Sequence, residues 1–219
     1  MRFATAGTVL AMRYALEERG VVMNIGGGYH HAFRDHGEGF CLFADVAAGI
    51  AQHRAEGRLA AQDRIAVIDL DAHRGNGFAQ IHEHDHAIHI YDLYNFQVYP
   101  GLLPDWDPDR TPYSIPIRSG SRDEEYLEEL SESLPRFLES VGEIRLAVYN
   151  AGTDIVSGDP LGRLNVSPEG VRARDRFVLD LLARRRTPTV IVTSGGYTDL
   201  SHALIADLGI HLAEIGPKW

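Results

Sequence analysis

Ile68-Asp69-Leu70-Asp71-Ala72-His73-Arg74-Gly75-Asn76-Gly77 follows directly on Arg64-Ile65-Ala66-Val67. The run from 64 to 68 is β-branched and uncharged after its first residue, the pattern of a strand covered on both faces within a parallel sheet. Side chains two apart in extended chain point to the same side, so Asp69, Asp71 and His73 can converge where the strand runs out. A carboxylate and an imidazole at that spacing can grip one divalent metal. Gly75 and Gly77 then let the backbone turn sharply away. A lone Asp-x-His would read as a strand ending in a polar turn, and it is the rest of the chain that decides otherwise.

Toward the N-terminus, residues 6–19 read as an amphipathic helix with Val9, Met12 and Leu16 at helical spacing and Gly20 at its end. Val21-Val22-Met23-Asn24-Ile25 reads as a short buried strand running into Gly26-Gly27-Gly28-Tyr29-His30-His31. The glycine triplet has neither Gly-x-Gly-x-x-Gly spacing nor a Lys-Ser/Thr pair, so nucleotide binding is set aside. Its small residues instead let the backbone pass close to a site while His30 and His31 point into it. A helix is predicted over Ala44 to His53, with Val46 and Ile50 on its apolar face.

Toward the C-terminus, His82, His84, His86 and His89 invite a metal reading, but His82-Glu83-His84-Asp85-His86 shows no partner set and reads as a solvated helix end and loop. Ala87 to Tyr91 is predicted as a strand, followed by Asp92-Leu93-Tyr94-Asn95 and the aromatic loop ending Tyr99-Pro100-Gly101, of the kind that walls a pocket. Residues 102–113 read as irregular Pro- and Asp-rich chain, and Tyr113 to Ile117 as a strand. Arg122 to Val141 reads as an acidic amphipathic helix that Pro135 would kink. Ile144 to Asn150 is a strand emptying into Ala151-Gly152-Thr153-Asp154. Ser167-Pro168 caps a helix running to Arg184. Thr189 to Thr193 is the last strand, before Ser194-Gly195-Gly196-Tyr197 and a closing helix from Asp199 to Leu208. Strands and helices alternate throughout, which predicts an α/β fold with a mostly parallel sheet and right-handed crossovers. Ligands in such sheets sit at the carboxyl ends of the strands, where the polar clusters lie.

At 219 residues the chain suits one domain with functional loops. Hydrophobic residues at 44% and charged residues at 24% describe an ordinary globular protein. No apolar run reaches membrane-spanning length and no signal-peptide core opens the chain, so a cytoplasmic protein without membrane partners is expected. A formal charge of −10 disfavours nucleic-acid binding and favours cationic or neutral substrates. The one cysteine, Cys41, excludes a disulfide framework. A Cys41–His pair is a conceivable nucleophile, but Cys41 sits in the apolar run Phe40-Cys41-Leu42-Phe43 and reads as a small core residue.

Four strand ends thus supply His30 and His31, then Asp69, Asp71 and His73, then Asp154, then Tyr197. One neutral histidine and two carboxylates form a zinc set that leaves coordination open for water and a substrate carbonyl. Its negative charge makes the metal a weaker Lewis acid than three histidines would. Such a site needs bases for a water proton and a donor for a developing oxyanion, work suited to the histidine pair and the tyrosine.

The chain resembles the histone deacetylase family of zinc amidohydrolases. Gly27-Gly28-Tyr29-His30-His31, Gly37-Glu38-Gly39-Phe40-Cys41, the run from Asp69 to Gly77, Gly152-Thr153-Asp154 and Ser194-Gly195-Gly196-Tyr197 match its motifs in order. Asp71-Ala72-His73-Arg74-Gly75-Asn76-Gly77, the Tyr94-Asn95 to Gly101 loop and Thr193 to Tyr197 are most similar to class IV, the histone deacetylase 11-like branch. The resemblance implies a three-layer α/β sandwich of the arginase/deacetylase type and hydrolysis of a linear amide C–N bond. It further implies zinc on Asp71, His73 and Asp154, with His31 as principal general base and acid and His30 as its electrostatic partner. Asp69 would hold His30 and share in a structural potassium site with Asp92. Asn76 falls where some classes carry an aspartate behind the second histidine, and its neutral amide orients His31 without raising its basicity as a carboxylate would. Tyr197 would donate to the tetrahedral intermediate. Phe40, Tyr99 and Leu161 would line an acyl-lysine tunnel, and the Gly39 carbonyl would accept from the substrate amide.

In the family a substantial segment precedes the first catalytic motif, whereas this chain reaches that motif within thirty residues. The expectation is therefore a single, N-terminally truncated catalytic domain over residues 1–219, with a shallow site and an uncovered sheet edge that encourages self-association. Three competing readings remain: an acetylpolyamine-type amidohydrolase, a dinuclear manganese enzyme of the arginase kind, and a zinc-binding scaffold without activity.

Overall fold

Ile65 to Asp69 are all buried, as an uninterrupted apolar run requires, because helices cover both faces of the sheet around them. In a computed structural model that describes residues 1–102 and 113–216, the elements alternate as the hydrophobic patterning predicts. They are α1 (Arg2–Glu18), β1 (Val21–Asn24), α2 (Asp45–Ala55), β2 (Ile65–Asp69), α3 (Asn76–Ile81), β3 (Ile88–Asn95) and β4 (Tyr113–Ile117), then α4 (Asp123–Val141), β5 (Leu146–Asn150), α5 (Pro168–Arg184), β6 (Thr189–Val192) and α6 (Ser201–Ile215). The irregular stretch read between 102 and 113 falls, for residues 103–112, outside the described residues.

The strands form one six-stranded sheet in the order β1-β6-β5-β2-β3-β4, and every pairing is parallel. Alternate strand residues serve opposite layers, as the two-residue period dictates. Ile65, Val67, Val148 and Val190 pack with Met12, Val46 and Ile50 of α1 and α2. Ile68, Tyr149 and Ile191 pack with Leu130, Leu134, Val178 and Leu204 of α4, α5 and α6. The result is a three-layer sandwich, and each fully buried Leu or Ile in it contributes roughly 1.5–3 kcal/mol relative to exposure.

Element ends depart from the sequence reading for identifiable reasons. Helix α1 begins at Arg2, and Arg19 rather than Gly20 takes the left-handed turn at φ 53°, its N–H bonding the Ala15 carbonyl. Strand β3 continues to Asn95 because Tyr91 to Asn95 pairs with Tyr113 to Ile117. Helix α4 runs from Asp123 to Val141 with Pro135 inside it, one residue short at its start because Arg122 is the extended N-cap. Helix α6 starts two residues later than expected and runs on to Ile215. No helix among the described residues is long and apolar enough to cross a membrane.

The histidine tract is not uniformly solvated. His84 and His86 are exposed, but the His82 side chain is only 8% exposed and its ring centroid lies 4.5 Å from that of Phe78. Burial pushes its pKa down to about 4. The unfolded chain, with histidine near 6.5, therefore binds the extra proton first as pH falls, so stability is undiminished above about pH 6.5 and declines toward pH 4. His82→Leu should flatten this loss by up to about 3 kcal/mol, the free energy of that shift. Thermal melts of both proteins between pH 4.5 and 7 measure it, and parallel slopes would refute it.

Candidate active site

Four neighbouring strands, β1, β6, β5 and β2, end on one rim, so loops distant in sequence meet there. The loop after β2 brings Asp71 and His73, and the loop after β5 brings Asp154. His73 Nδ1 lies 3.0 Å from Asp71 Oδ1 and 2.9 Å from Asp154 Oδ2. All three residues are buried, and one donor atom of each lies within 4.8 Å of the others. Burial, then the neighbouring Asp71 charge, raises the Asp154 pKa to about 7. Burial alone would also raise Asp71, but the His30 and His73 charges hold it well below the usual carboxylate range. His73 is raised to about 10 because the Asp154 and Asp71 carboxylates outweigh its burial.

This group calls for a cation. Two buried carboxylates and one imidazole are oxygen and nitrogen donors of the kind that bind zinc with coordination left open. The backbone makes room for them. A Cβ added at Gly195 would come within 2.4 Å of Asp154 Oδ2, and one at Gly152 within 2.7 Å of Asp71 Oδ2. The Gly195 N–H also donates to Asp71 Oδ2 at 2.8 Å. The three residues fit a zinc ion.

Beside the group stands a histidine pair from the loop after β1. His30 Nδ1 meets Asp69 Oδ2 at 2.7 Å, His31 Nδ1 meets Asn76 Oδ1 at 2.7 Å, and the two Nε2 atoms are 3.1 Å apart. The Asp69 and Asp71 charges outweigh burial and raise His30 to about 9. Burial, then the His30 charge, lowers His31 to about 3. His30 is accordingly cationic and His31 neutral. With its Nδ1–H donated to Asn76 Oδ1, neutral His31 carries its lone pair on Nε2, where it accepts from the Nε2–H of cationic His30. Asp69, whose strand position suggested a third member of the metal group, instead faces His30.

Tyr197, from the loop after β6, brings its ring centroid to 6.4 Å from that of His73. A cavity of about 90 Å³ is lined by His31, Gly39, Phe40, Asp71, His73 and Tyr197 among others. Tyr99 and Leu161 lie outside that lining. Tyr99 stacks edge-on to His31 at 4.9 Å and donates its hydroxyl to Glu38, while Leu161 is 38% exposed. Phe40 is 76% exposed. Gly39 is needed as glycine, since its φ is +49° and a Cβ there would sit 2.2 Å from the His31 ring. Burial pushes the Cys41 thiol up to about 12, which removes it as a nucleophile.

Several site residues carried no signal in the sequence. Asp45 at the start of α2 accepts the Gly28 and Tyr29 N–H groups at 3.0 and 2.8 Å and so shapes the glycine–histidine loop. Asn150 donates to Asp69 Oδ1 at 2.8 Å. Buried Arg174 of α5 donates to the Leu70 and Gly152 carbonyls at 3.2 and 2.5 Å, tying together the loops that carry Asp71 and Asp154. Asn150 ends a strand whose register sets it opposite Asp69, a pairing that only the sheet order reveals.

The family model described as Histone deacetylase domain matches residues 1–211. Histone deacetylase 2 of Arabidopsis thaliana is 42% identical over 216 residues, which are 98% of this chain and 54% of that protein. The crystal structure of the HDA15 HD domain superposes with a TM-score of 0.79 at 22% identity, covering 95% of this chain and 62% of that one. An acetylpolyamine aminohydrolase from Burkholderia pseudomallei gives 0.77 at 22% identity, covering 94% and 60%. At that identity the two structures show the shared fold. The chain spans about half the length of the curated relative.

Proposed function

The chain belongs to the histone deacetylase family, and from that premise we propose that it is a zinc-dependent hydrolase of acyl-lysine amides, yielding a carboxylate and a free amine. The observation that carries this reading is the buried Asp71, His73 and Asp154 group beside a histidine pair whose outer nitrogens face Asp69 and Asn76. Zinc held by those three residues would polarise the amide carbonyl and acidify the attacking water. His31 accepts the water proton at Nε2 and returns it to the departing amine. Asp69 keeps His30 charged, and burial together with the His30 charge keeps His31 neutral. Tyr197 donates its hydroxyl to the oxygen that gains charge. Gly39 and Phe40 contact the acyl-lysine side chain at the cavity, with Tyr99 and Leu161 at its rim.

The same proposal includes a structural potassium ion near Asp69 and Asp92. Asp92 Oδ1 is buried without a hydrogen-bond partner, and burial followed by the Asp69 charge raises its pKa well above the ordinary value. A monovalent cation there would relieve both.

The test is zinc content together with release of acetyl and long-chain acyl groups from lysine peptides. His31→Ala should cost roughly a hundred- to ten-thousandfold in turnover, the range of general acid–base assistance. One zinc per chain with no release from any peptide or acetylpolyamine would mean a silent zinc-binding scaffold. A second reading, an acetylpolyamine-type amidohydrolase, is favoured by the formal charge of −10 and the exposed rim. Faster turnover of an acetylpolyamine than of any peptide would establish it.

A further inference from the structure

The geometry points to Asp159 as the residue that positions Tyr197, a role whose catalytic consequence rests on the hydrolase reading above. Asp159 lies in the loop after β5, is 4% exposed, and spends both carboxylate oxygens on backbone donors. Oδ1 accepts the Leu161 and Gly162 N–H groups, each at 2.9 Å. These two bonds close a turn within its own loop. Oδ2 accepts the Tyr197 N–H at 2.8 Å, and this third bond crosses to a loop 38 residues away.

The crossing bond falls where the Tyr197 loop needs it. Ser194 is tied to the glycine–histidine loop through its N–H to the Gly27 carbonyl at 3.1 Å and its hydroxyl to the Gly28 carbonyl at 3.0 Å. Gly195 is tied through its N–H to Asp71 and its carbonyl to the Thr153 N–H at 2.7 Å. Tyr197, 42% exposed, is then held from the backbone by Asp159. Hydrogen bonds to a carboxylate are stronger than neutral ones. A glycine at 162 lets the Asp159 turn press against the Asp154 loop, since a Cβ there would lie 2.0 Å from the Asp154 carbonyl oxygen. One buried carboxylate thus fixes the Tyr197 backbone relative to the loop carrying Asp154, and with it the reach of the phenol toward the site.

Asp159→Asn separates the two roles. The amide keeps one oxygen for the local turn and presents an NH2 group to the Tyr197 N–H, which cannot accept it. Turnover should fall by up to about a hundredfold with KM little changed, as expected of a misplaced catalytic group, and zinc content should stay at one per chain. In a Tyr197→Phe background the same substitution should cost nothing further. A loss that multiplies in that background, or no loss in the parent, would overturn the proposal. A second measurement is independent of turnover: 3-fluorotyrosine at position 197, read by fluorine NMR. Asp159→Asn should shift or broaden its resonance, whereas Ser157→Ala, which removes only the loop's exposed bond to Asn165, should not. An unmoved fluorine signal refutes positioning even if the enzyme is active. A moved signal in a protein that hydrolyses nothing upholds positioning while the hydrolase reading fails.

Discussion

Asp154→Asn is expected to leave a folded protein that retains no stoichiometric zinc and hydrolyses its amide substrate about a thousandfold more slowly or worse, since Lewis-acid stabilisation is worth several kcal/mol and about 1.4 kcal/mol is tenfold in rate. The fold should survive because asparagine keeps the volume and an oxygen for the Ala72 N–H, which Asp154 Oδ1 accepts at 2.9 Å. Removing the charge also relieves its repulsion with Asp71, which with burial raises Asp154 to about 7. The thermal midpoint of the metal-free variant should therefore equal or exceed that of the metal-free parent. The same electrostatics set a sign for metal uptake by the parent protein. At neutral pH His73, raised to about 10, holds a proton between the two carboxylates, and a metal must displace it. Zinc binding should release protons and weaken as pH falls. Calorimetric titrations in buffers of different ionisation enthalpy measure that release, and identical heats in both buffers would contradict the assigned ligand set.

Alternating residues at a strand's end were enough to read half of this centre, because a two-residue period leaves little freedom in where Asp69, Asp71 and His73 point. The same pattern did not rank them. Asp69 differs from Asp71 only through what lies opposite, His30 and Asn150 against His73 and Asp154, and those neighbours come from strands that sheet order brings together. Asp45 and Arg174 were invisible for a related reason. Each is a charged residue at a helical position, ordinary in sequence, whose partners are backbone groups of loops more than fifteen residues away. The rim shows the limit from the other side. Tyr99 lies in a matched loop and Leu161 was assigned by the resemblance alone, yet half-exposed side chains on loops are positioned by local contacts such as that of Tyr99 with Glu38, which no periodicity encodes.

Tyr197→Phe removes one hydroxyl and nothing else, and it should lower turnover roughly a hundred- to a thousandfold, the usual cost of losing one oxyanion donor. Because the donor acts on charge that develops only in the transition state, the loss should appear in kcat with KM little changed. Zinc content should be unaffected, since Tyr197 is outside the ligand group. Stability should change by less than about 0.5 kcal/mol, as for most substitutions away from the core. The pH profile should keep its shape. Burial, with the Asp71 and Asp154 charges adding to it, raises the phenol's pKa far above 10, so the hydroxyl stays protonated through the working range and contributes no titrating limb for the substitution to erase. A loss of less than about fivefold would mean that the oxyanion is stabilised without Tyr197. A loss confined to KM would place the phenol in substrate binding instead.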